Sequence, residues 1–191
     1  MIAPDLMHRE TSLDPAVTAA ESIFGWMSHD ELVFLATQAR NHRAIIEIGS
    51  FHGRSTKALA ATPGIVCTFD CVDPMYERHN PKPQAEIFAE NLRDEILDHK
   101  VHAYYFPSPQ AAELFGDGHA DMIFIDGDHV YQAVKADILA WMPKLHAGGL
   151  LCGHDYTHAV DGLIERPGVK QAVDEIFPSV NLVGSLWWLV K

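Results

Sequence analysis

Residues Asp121 to Asp155 constrain this chain more than any other stretch. They read DMIFIDGDHVYQAVKADILAWMPKLHAGGLLCGHD. Met122 to Ile125 is a short, fully apolar run rich in β-branched residues, as expected of a strand buried on both faces. From Val130 to Met142, Val130, Val134, Ile138 and Trp141 recur at helical spacing with Lys135 and Asp137 on the other side. This predicts a helix that lies on the sheet with its charges outward. Pro143 stops it, Gly148-Gly149 turns the chain, and Leu150 to Gly153 forms a second strand parallel to the first. Two neighbouring parallel strands then carry Asp126 and His154-Asp155 at their carboxyl ends, the edge of an open α/β sheet where ligands bind.

The rest of the chain repeats the alternation. Asp14-Pro15 and Ser28 with Glu31 mark the starts of two helices, Thr11 to Gly25 and Ser28 to Arg40, the second through a capping box. Ala44 to Ile48 is the first strand, Arg54 to Ala61 a helix, and Ile65 to Val72 a second strand ending at Asp73. Pro83 to Asp98 reads as one helix and Val101 to Phe106 as a third strand, with a short helix after Pro107-Ser108-Pro109. Gly168 to Phe177 is a last helix. Val180 to Val183 and Leu186 to Val190, joined by Gly184-Ser185, form a hairpin whose glycine-first loop suits a tight turn.

With 191 residues, 48% of them hydrophobic, the chain fits one buried domain: a helical segment over 1–42 and a ligand-binding core over 43–191. A net charge of −12 offers no basic face for a phosphate backbone, which argues against nucleic acid as partner. No apolar run approaches membrane-spanning length, and the amino terminus lacks the pattern of a secretory signal, so a cytoplasmic protein without membrane attachment is expected. Cys67, Cys71 and Cys152 sit in apolar runs and read as buried thiols. Oligomeric state is not encoded in any pattern, and a homo-oligomer stays open.

Glu47-Ile48-Gly49-Ser50-Phe51-His52-Gly53-Arg54-Ser55 joins the first strand to its helix. Its glycines allow the main chain close to a ligand at a helix amino terminus. The spacing is ExGxxxG rather than GxGxxG, and a strand-end carboxylate suits a cationic ligand better than a pyrophosphate. Asp73, after the second strand, is placed to accept both hydroxyls of a ribose. Ser108 falls where an adenine edge would lie.

The combination IEIGSFHGRST, VDP, FIDGDHVYQAVKADILAWMPKLHAGGLL and GHDY resembles the class I S-adenosylmethionine-dependent methyltransferases. Within them it is most similar to the macrocin and macrolide-type O-methyltransferases, with catechol O-methyltransferase more distant. The resemblance covers roughly Ala44 to Lys191. It implies a Rossmann-like seven-stranded sheet of order 3-2-1-4-5-7-6, strand 7 antiparallel, with helices on both faces and two extra amino-terminal helices. It implies S-adenosylmethionine as cofactor, with Glu47, Gly49, Ser50, Phe51, Gly53 and Ser55 along its methionine and sugar portion. Asp73 would hold the ribose, Ser108 would meet the adenine, and Asp126 would border the same site.

The resemblance also implies a divalent cation, Mg²⁺, Mn²⁺ or Fe²⁺, held by Asp126, His154 and Asp155. The relatives carry a carboxylate where this chain has His154, and the imidazole shifts preference away from Mg²⁺. Asp128 matches the carboxylate assigned as base in macrolide-type relatives, and His129 stands where catechol-type enzymes place a lysine. Either could deprotonate an acceptor hydroxyl, His129 with little adjustment of its pKa near neutrality. The acceptor would be a small hydroxylated molecule, taken up between Trp26, the loop 75–83 and residues Tyr156 to Arg166. Three other readings compete. Asp126-Gly127-Asp128 is a DxD as in metal-dependent glycosyltransferases, His154-Asp155 hints at a phosphohydrolase, and a silent cofactor-binding module would tolerate the unusual His154.

Overall fold

The computed structural model describes residues 14–70, 82–157, 159–160, 163–164 and 167–191. Asp73, Cys71, the start of the first helix at Thr11, the loop 75–81 and most of the segment from His158 to Arg166 lie outside the described residues.

Two helices open the described chain, α1 (Pro15–Glu21) and α2 (His29–Ala39). Asp14 caps α1 by accepting from the Ala16 amide, with Pro15 in its first turn, and Ser28 and Glu31 form a reciprocal capping box on α2. They are followed by β1 (Ala44–Ile48), α3 (Arg54–Leu59), β2 (Ile65–Asp70), α4 (Gln84–Asn91), α5 (Arg93–Leu97) and β3 (Val101–Tyr105). Next come α6 (Ser108–Ala111), β4 (Ala120–Ile125), α7 (Tyr131–Trp141) and β5 (Leu145–Gly153). A short ribbon, β6 (Ala159–Val160) with β7 (Leu163–Ile164), precedes α8 (Pro167–Ile176), β8 (Asn181–Val183) and β9 (Leu186–Val190).

The sheet has seven strands in the order β3-β2-β1-β4-β5-β9-β8, which is 3-2-1-4-5-7-6 once the separate β6-β7 ribbon is left out of the count. β1 to β5 pair in parallel, and β9 pairs antiparallel with both β5 and β8. Alternation along the strands builds two cores. Ile45, Val66, Met122, Phe124 and Leu150 face α1, α2, α3 and Phe88 of α4. Ile46, Phe69, Ile123, Ile125 and Leu151 face α6, α7 and α8, around Trp141 and Trp187. Since successive side chains point to opposite faces, a strand covered on both sides is apolar at nearly every position, and β1 and β4 depart from this only at Glu47 and Asp121.

Several expectations shift. The helix expected over Pro83 to Asp98 breaks at Leu92, whose φ of −107° and ψ of 18° are not helical, giving α4 and α5. β5 begins at Leu145 and runs through Gly148-Gly149 instead of starting after them. The pairing with β4 is irregular between Ala120 and Met122, so the glycine pair is absorbed as a local deviation in the strand. On α7 the expected faces are partly wrong. Val130 is the 57% exposed residue before the helix, whereas Asp137 is 5% exposed and turned inward. Cys67 is half-buried and Cys152 buried, both as free thiols. No helix among the described residues is long and apolar enough to cross a membrane.

Candidate active site

The carboxyl ends of β1, β2, β4 and β5 open onto a cleft of about 740 Å³, within the roughly 300–1,000 Å³ usual for small-molecule pockets. Backbone hydrogen bonds hold these ends together: Gly49 N–H donates to Phe69 O at 2.8 Å, Asp126 N–H to Ile48 O at 2.7 Å and His154 N–H to Ile125 O at 3.1 Å. Gly49 has φ +86°, and a Cβ there would stand 2.1 Å from the carbonyl oxygen of Asp126. Only glycine lets the β1 turn pass that close to the end of β4.

Gly49, Ser50, Phe51 and Ser55 line the cleft. Their shape is fixed from below by Asp70, at the end of β2, whose Oδ2 accepts from the Phe51 amide at 2.9 Å, the Ser50 hydroxyl at 3.2 Å and the Gln84 amide at 2.8 Å. Asp70 was not anticipated from sequence. The only signal for it was a second carboxylate three residues before Asp73.

Glu47 and Gly53 stand elsewhere than the sequence suggested. Glu47 is fully buried and is not among the residues lining the cleft; its two oxygens accept the hydroxyls of Ser55 and Thr56 at 2.6 Å each. Burial raises its pKa to about 7 against the three hydroxyls of Ser55, Thr56 and Thr68, and the charge of Asp126 adds to the rise. It ties β1 to the first turn of α3 and offers no exposed charge to a cation. Gly53, at φ +89°, faces α4: a Cβ would lie 2.1 Å from Leu92 Cδ2. Its role is close packing and the left-handed cap of α3.

On the far side of the cleft, Ser108 accepts from Trp141 Nε1 at 2.7 Å and hydrogen-bonds to Asp137. Burial raises the Asp137 carboxyl to about 6 although the Ser108 hydroxyl pulls it down, and the charge of Asp128 pushes it further up. Asp137 therefore borders the cleft beside Ser108. A helical wheel places it outside because the wheel cannot register the room left by Gly127.

The acidic and imidazole groups converge between β4 and β5. Asp126, His154 and Asp155 each present a ligand atom, all within 4.8 Å of one another. His154 Nδ1 is 3.4 Å from Asp155 Oδ1 and 3.8 Å from Asp126 Oδ1. His129 Nε2 lies 2.7 Å from Asp155 Oδ2 and 3.7 Å from Asp126 Oδ1. Burial disfavours a charge on either imidazole, but the carboxylates outweigh it: Asp126 and Asp155 raise His129 to about 9, and Asp126, Glu31 and Asp155 raise His154 to about 9. The expectation that His129 titrates near neutrality is thus corrected for the ion-free chain, because two carboxylates face it. Asp128 lines the cleft and its Oδ1 accepts from the Val130 amide at 2.8 Å, holding the turn before α7.

Behind His154 stands a residue the sequence marked only as a helix cap. Glu31 is 3% exposed, and its Oε2 is 3.4 Å from His154 Nε2. Burial alone would raise its carboxyl, but His154 and the Ser28 and Ser185 amides hold it well below the ordinary carboxylate range. At the mouth of the cleft, Phe24 and Trp26 are 64% and 69% exposed, and Trp26 and Phe51 have ring centroids 5.3 Å apart. Arg54 fastens this rim by donating to the carbonyls of Glu21, Ile23 and Met27.

Residues 46–156 match a family described as a methyltransferase domain. The uncharacterized protein y4gI of Sinorhizobium fredii is 26% identical over 179 residues, 85% of this chain but 19% of that protein, so the chain spans about a fifth of its length. Among solved structures, the O-methyltransferase from Bacillus cereus in complex with SAH superposes with a TM-score of 0.64 at 20% identity, over 98% of this chain and 94% of that one. TomG of Streptomyces achromogenes, an O-methyltransferase of tomaymycin synthesis solved with SAM, gives 0.63 at 20% identity over 97% and 92%. The SAH-bound methyltransferase PaMTH1 of Podospora anserina gives 0.65 at 17% over 91% and 84%. These likenesses concern the fold, and the family match covers more than half of the chain. The chain therefore belongs to the methyltransferase-domain family, and its fold is that of the class I S-adenosylmethionine-dependent methyltransferases.

Proposed function

We propose that this chain transfers the methyl group of S-adenosylmethionine to a hydroxyl of a small molecule, assisted by a divalent cation at Asp126, His154 and Asp155. One observation carries the reading. The glycine turn Gly49 to Phe51 and the carboxylates of Asp126 and Asp155 line one cleft, with His154 directly behind it. A cofactor lying along the turn and an acceptor hydroxyl at the carboxylates would be neighbours, and methyl transfer is an in-line displacement that depends chiefly on that orientation.

Two carboxylates and one imidazole with mutually close ligand atoms are a donor set that fits Mn²⁺ or Fe²⁺, and Mg²⁺ less well. A bound ion would supply Lewis-acid polarisation of the acceptor hydroxyl and lower its pKa. The chain's own groups do the rest. Gly49 to Phe51 shape the methionine side, Ser108 and Asp137 border the adenine side, and Asp73 is assigned to the ribose. Phe24, Trp26 and Phe51 give the acceptor an aromatic wall at the mouth of the cleft. Asp128 and His129 both line the cleft as candidate bases for the acceptor proton; His129 could serve once a bound ion relieves the two carboxylates that hold its own proton.

A second reading, a binding module without turnover, is favoured by the 2.7 Å contact of His129 with Asp155, which lets a protonated imidazole neutralise the carboxylates without any ion. Calorimetry separates the two and the glycosyltransferase reading as well. The proposed enzyme binds S-adenosylhomocysteine, ignores UDP-sugars and takes up Mn²⁺. Binding of S-adenosylhomocysteine with no uptake of Mn²⁺ favours the module, and tight binding of a UDP-sugar in its place overturns both.

A further inference from the structure

We propose that Glu31 and Ser185, neither of which lines the cleft, fix the tautomer of His154 so that Nδ1 offers its lone pair to the ion site at Asp126 and Asp155. The proposal rests on the metal-assisted reading above and extends it to two positioning residues.

His154 is 5% exposed, so its ring nitrogens depend on protein partners. Nδ1 faces the two carboxylates. Nε2 faces the other way, 3.0 Å from Ser185 Oγ and 3.4 Å from Glu31 Oε2. Ser185 Oγ also lies 2.9 Å from Glu31 Oε1. The direction of this chain of hydrogen bonds follows from Glu31. Its oxygens already receive two backbone donors, the Ser28 amide at 2.7 Å and the Ser185 amide at 2.7 Å, so Glu31 serves as acceptor throughout. A serine hydroxyl has one proton, and here it goes to Glu31; its lone pair is then left to accept from Nε2–H. A neutral His154 with its proton on Nε2 has its Nδ1 lone pair directed at Asp126 and Asp155, as a ligand of a shared ion requires. Such outer partners that select a histidine's ligating nitrogen are the usual support of a metal site.

A capping box alone explains only half of this arrangement. Oε2 of Glu31 serves Ser28, but Oε1 reaches 154 residues along the chain to the turn between β8 and β9. The backbone of that turn is held independently, since Ser185 O accepts from the Tyr156 amide at 2.9 Å. The Ser185 hydroxyl can therefore be removed without releasing the turn. Without Glu31, the Ser185 hydroxyl becomes free to donate to Nε2, and the ring proton moves to Nδ1, where it points at the ion.

The test compares the full chain with Ser185→Ala, Ser185→Thr and Glu31→Gln. Mn²⁺ affinity and S-adenosylhomocysteine affinity are read by calorimetry, folding by thermal melting, and the zinc-loaded ring by histidine ¹⁵N shifts. We expect Ser185→Ala and Glu31→Gln to weaken Mn²⁺ about 10- to 100-fold. Ser185→Ala should keep wild-type melting and cofactor affinity, and Ser185→Thr, which retains the hydroxyl, should keep Mn²⁺ affinity. The nitrogen shifts should show zinc on Nδ1 and the proton on Nε2. Unchanged Mn²⁺ affinity in Ser185→Ala, or zinc on Nε2, overturns the role of Glu31 and Ser185 while leaving the metal reading in place. A wild-type chain that binds no Mn²⁺ removes both. If Glu31→Gln fails to fold, Ser185→Ala decides alone.

Discussion

Replacing Glu47 by Gln should flatten the pH dependence of stability between pH 5 and pH 8. The Glu47 carboxyl is fully buried on β1 and titrates at about 7 in the folded chain, against an ordinary value of 4.5. A carboxyl raised on folding favours the folded state most when it is protonated. Its contribution is fully present below pH 4.5 and is lost as pH rises through 7. With those two values, linkage gives a loss of roughly 2 to 3 kcal/mol between pH 5 and pH 8, because one pH unit of separation corresponds to a little over 1 kcal/mol. Glutamine carries no charge at either pH and keeps one oxygen for a hydroxyl, so the variant lacks this loss. Urea unfolding of both proteins at the two pH values, with chelator present so that no ion compensates Asp126, gives the difference of differences. Other groups that titrate in this window, Asp137 among them, are common to both proteins and cancel. Parallel pH profiles would show that Glu47 is already ionised in the folded chain and that its burial has been misread.

Two further outcomes follow from the geometry. Gly53→Ala should destabilise by about 2 to 5 kcal/mol, combining the left-handed backbone with an overpacked contact at Leu92; an unchanged melting temperature would contradict the packing role assigned to this glycine. His154→Asp should move ion preference toward Mg²⁺, measured by competition between Mg²⁺ and Mn²⁺ in calorimetry, because an oxygen replaces the softer nitrogen donor. An unchanged ratio would mean that residue 154 does not ligate.

The framework was legible because its strands are covered on both faces. AIIEI and ADMIFI have no polar side that could face water, apart from Glu47 in β1 and Asp121 at the start of β4, and glycine or proline punctuates the turns around them. The same logic shows why Glu47 was misplaced. A carboxylate inside such a strand is enclosed wherever it points, and it needed Ser55 and Thr56 to be satisfied. Asp137 was hidden by a helical wheel that treats every acid as outward, although Ser108 offers it a partner. Glu31 was legible as a cap and nothing more, since its second oxygen meets Ser185, a contact across 154 positions that no local pattern encodes. Gly53 read as ligand space because the sequence does not show Leu92 lying against it. The break at Leu92 was invisible for a related reason: α4 and α5 share one apolar periodicity, and only the backbone at that residue separates them.

The most direct test is a crystal structure of the full chain grown with S-adenosylhomocysteine and Mn²⁺, the ion located by its anomalous scattering. The account predicts S-adenosylhomocysteine along Gly49 to Phe51, and Mn²⁺ within about 2.0 to 2.3 Å of Asp126, Asp155 and Nδ1 of His154. S-adenosylhomocysteine outside that cleft would contradict the cofactor assignment. The ion held elsewhere, or an ordered cofactor with His129 still bridging ion-free carboxylates, would contradict metal-assisted methyl transfer.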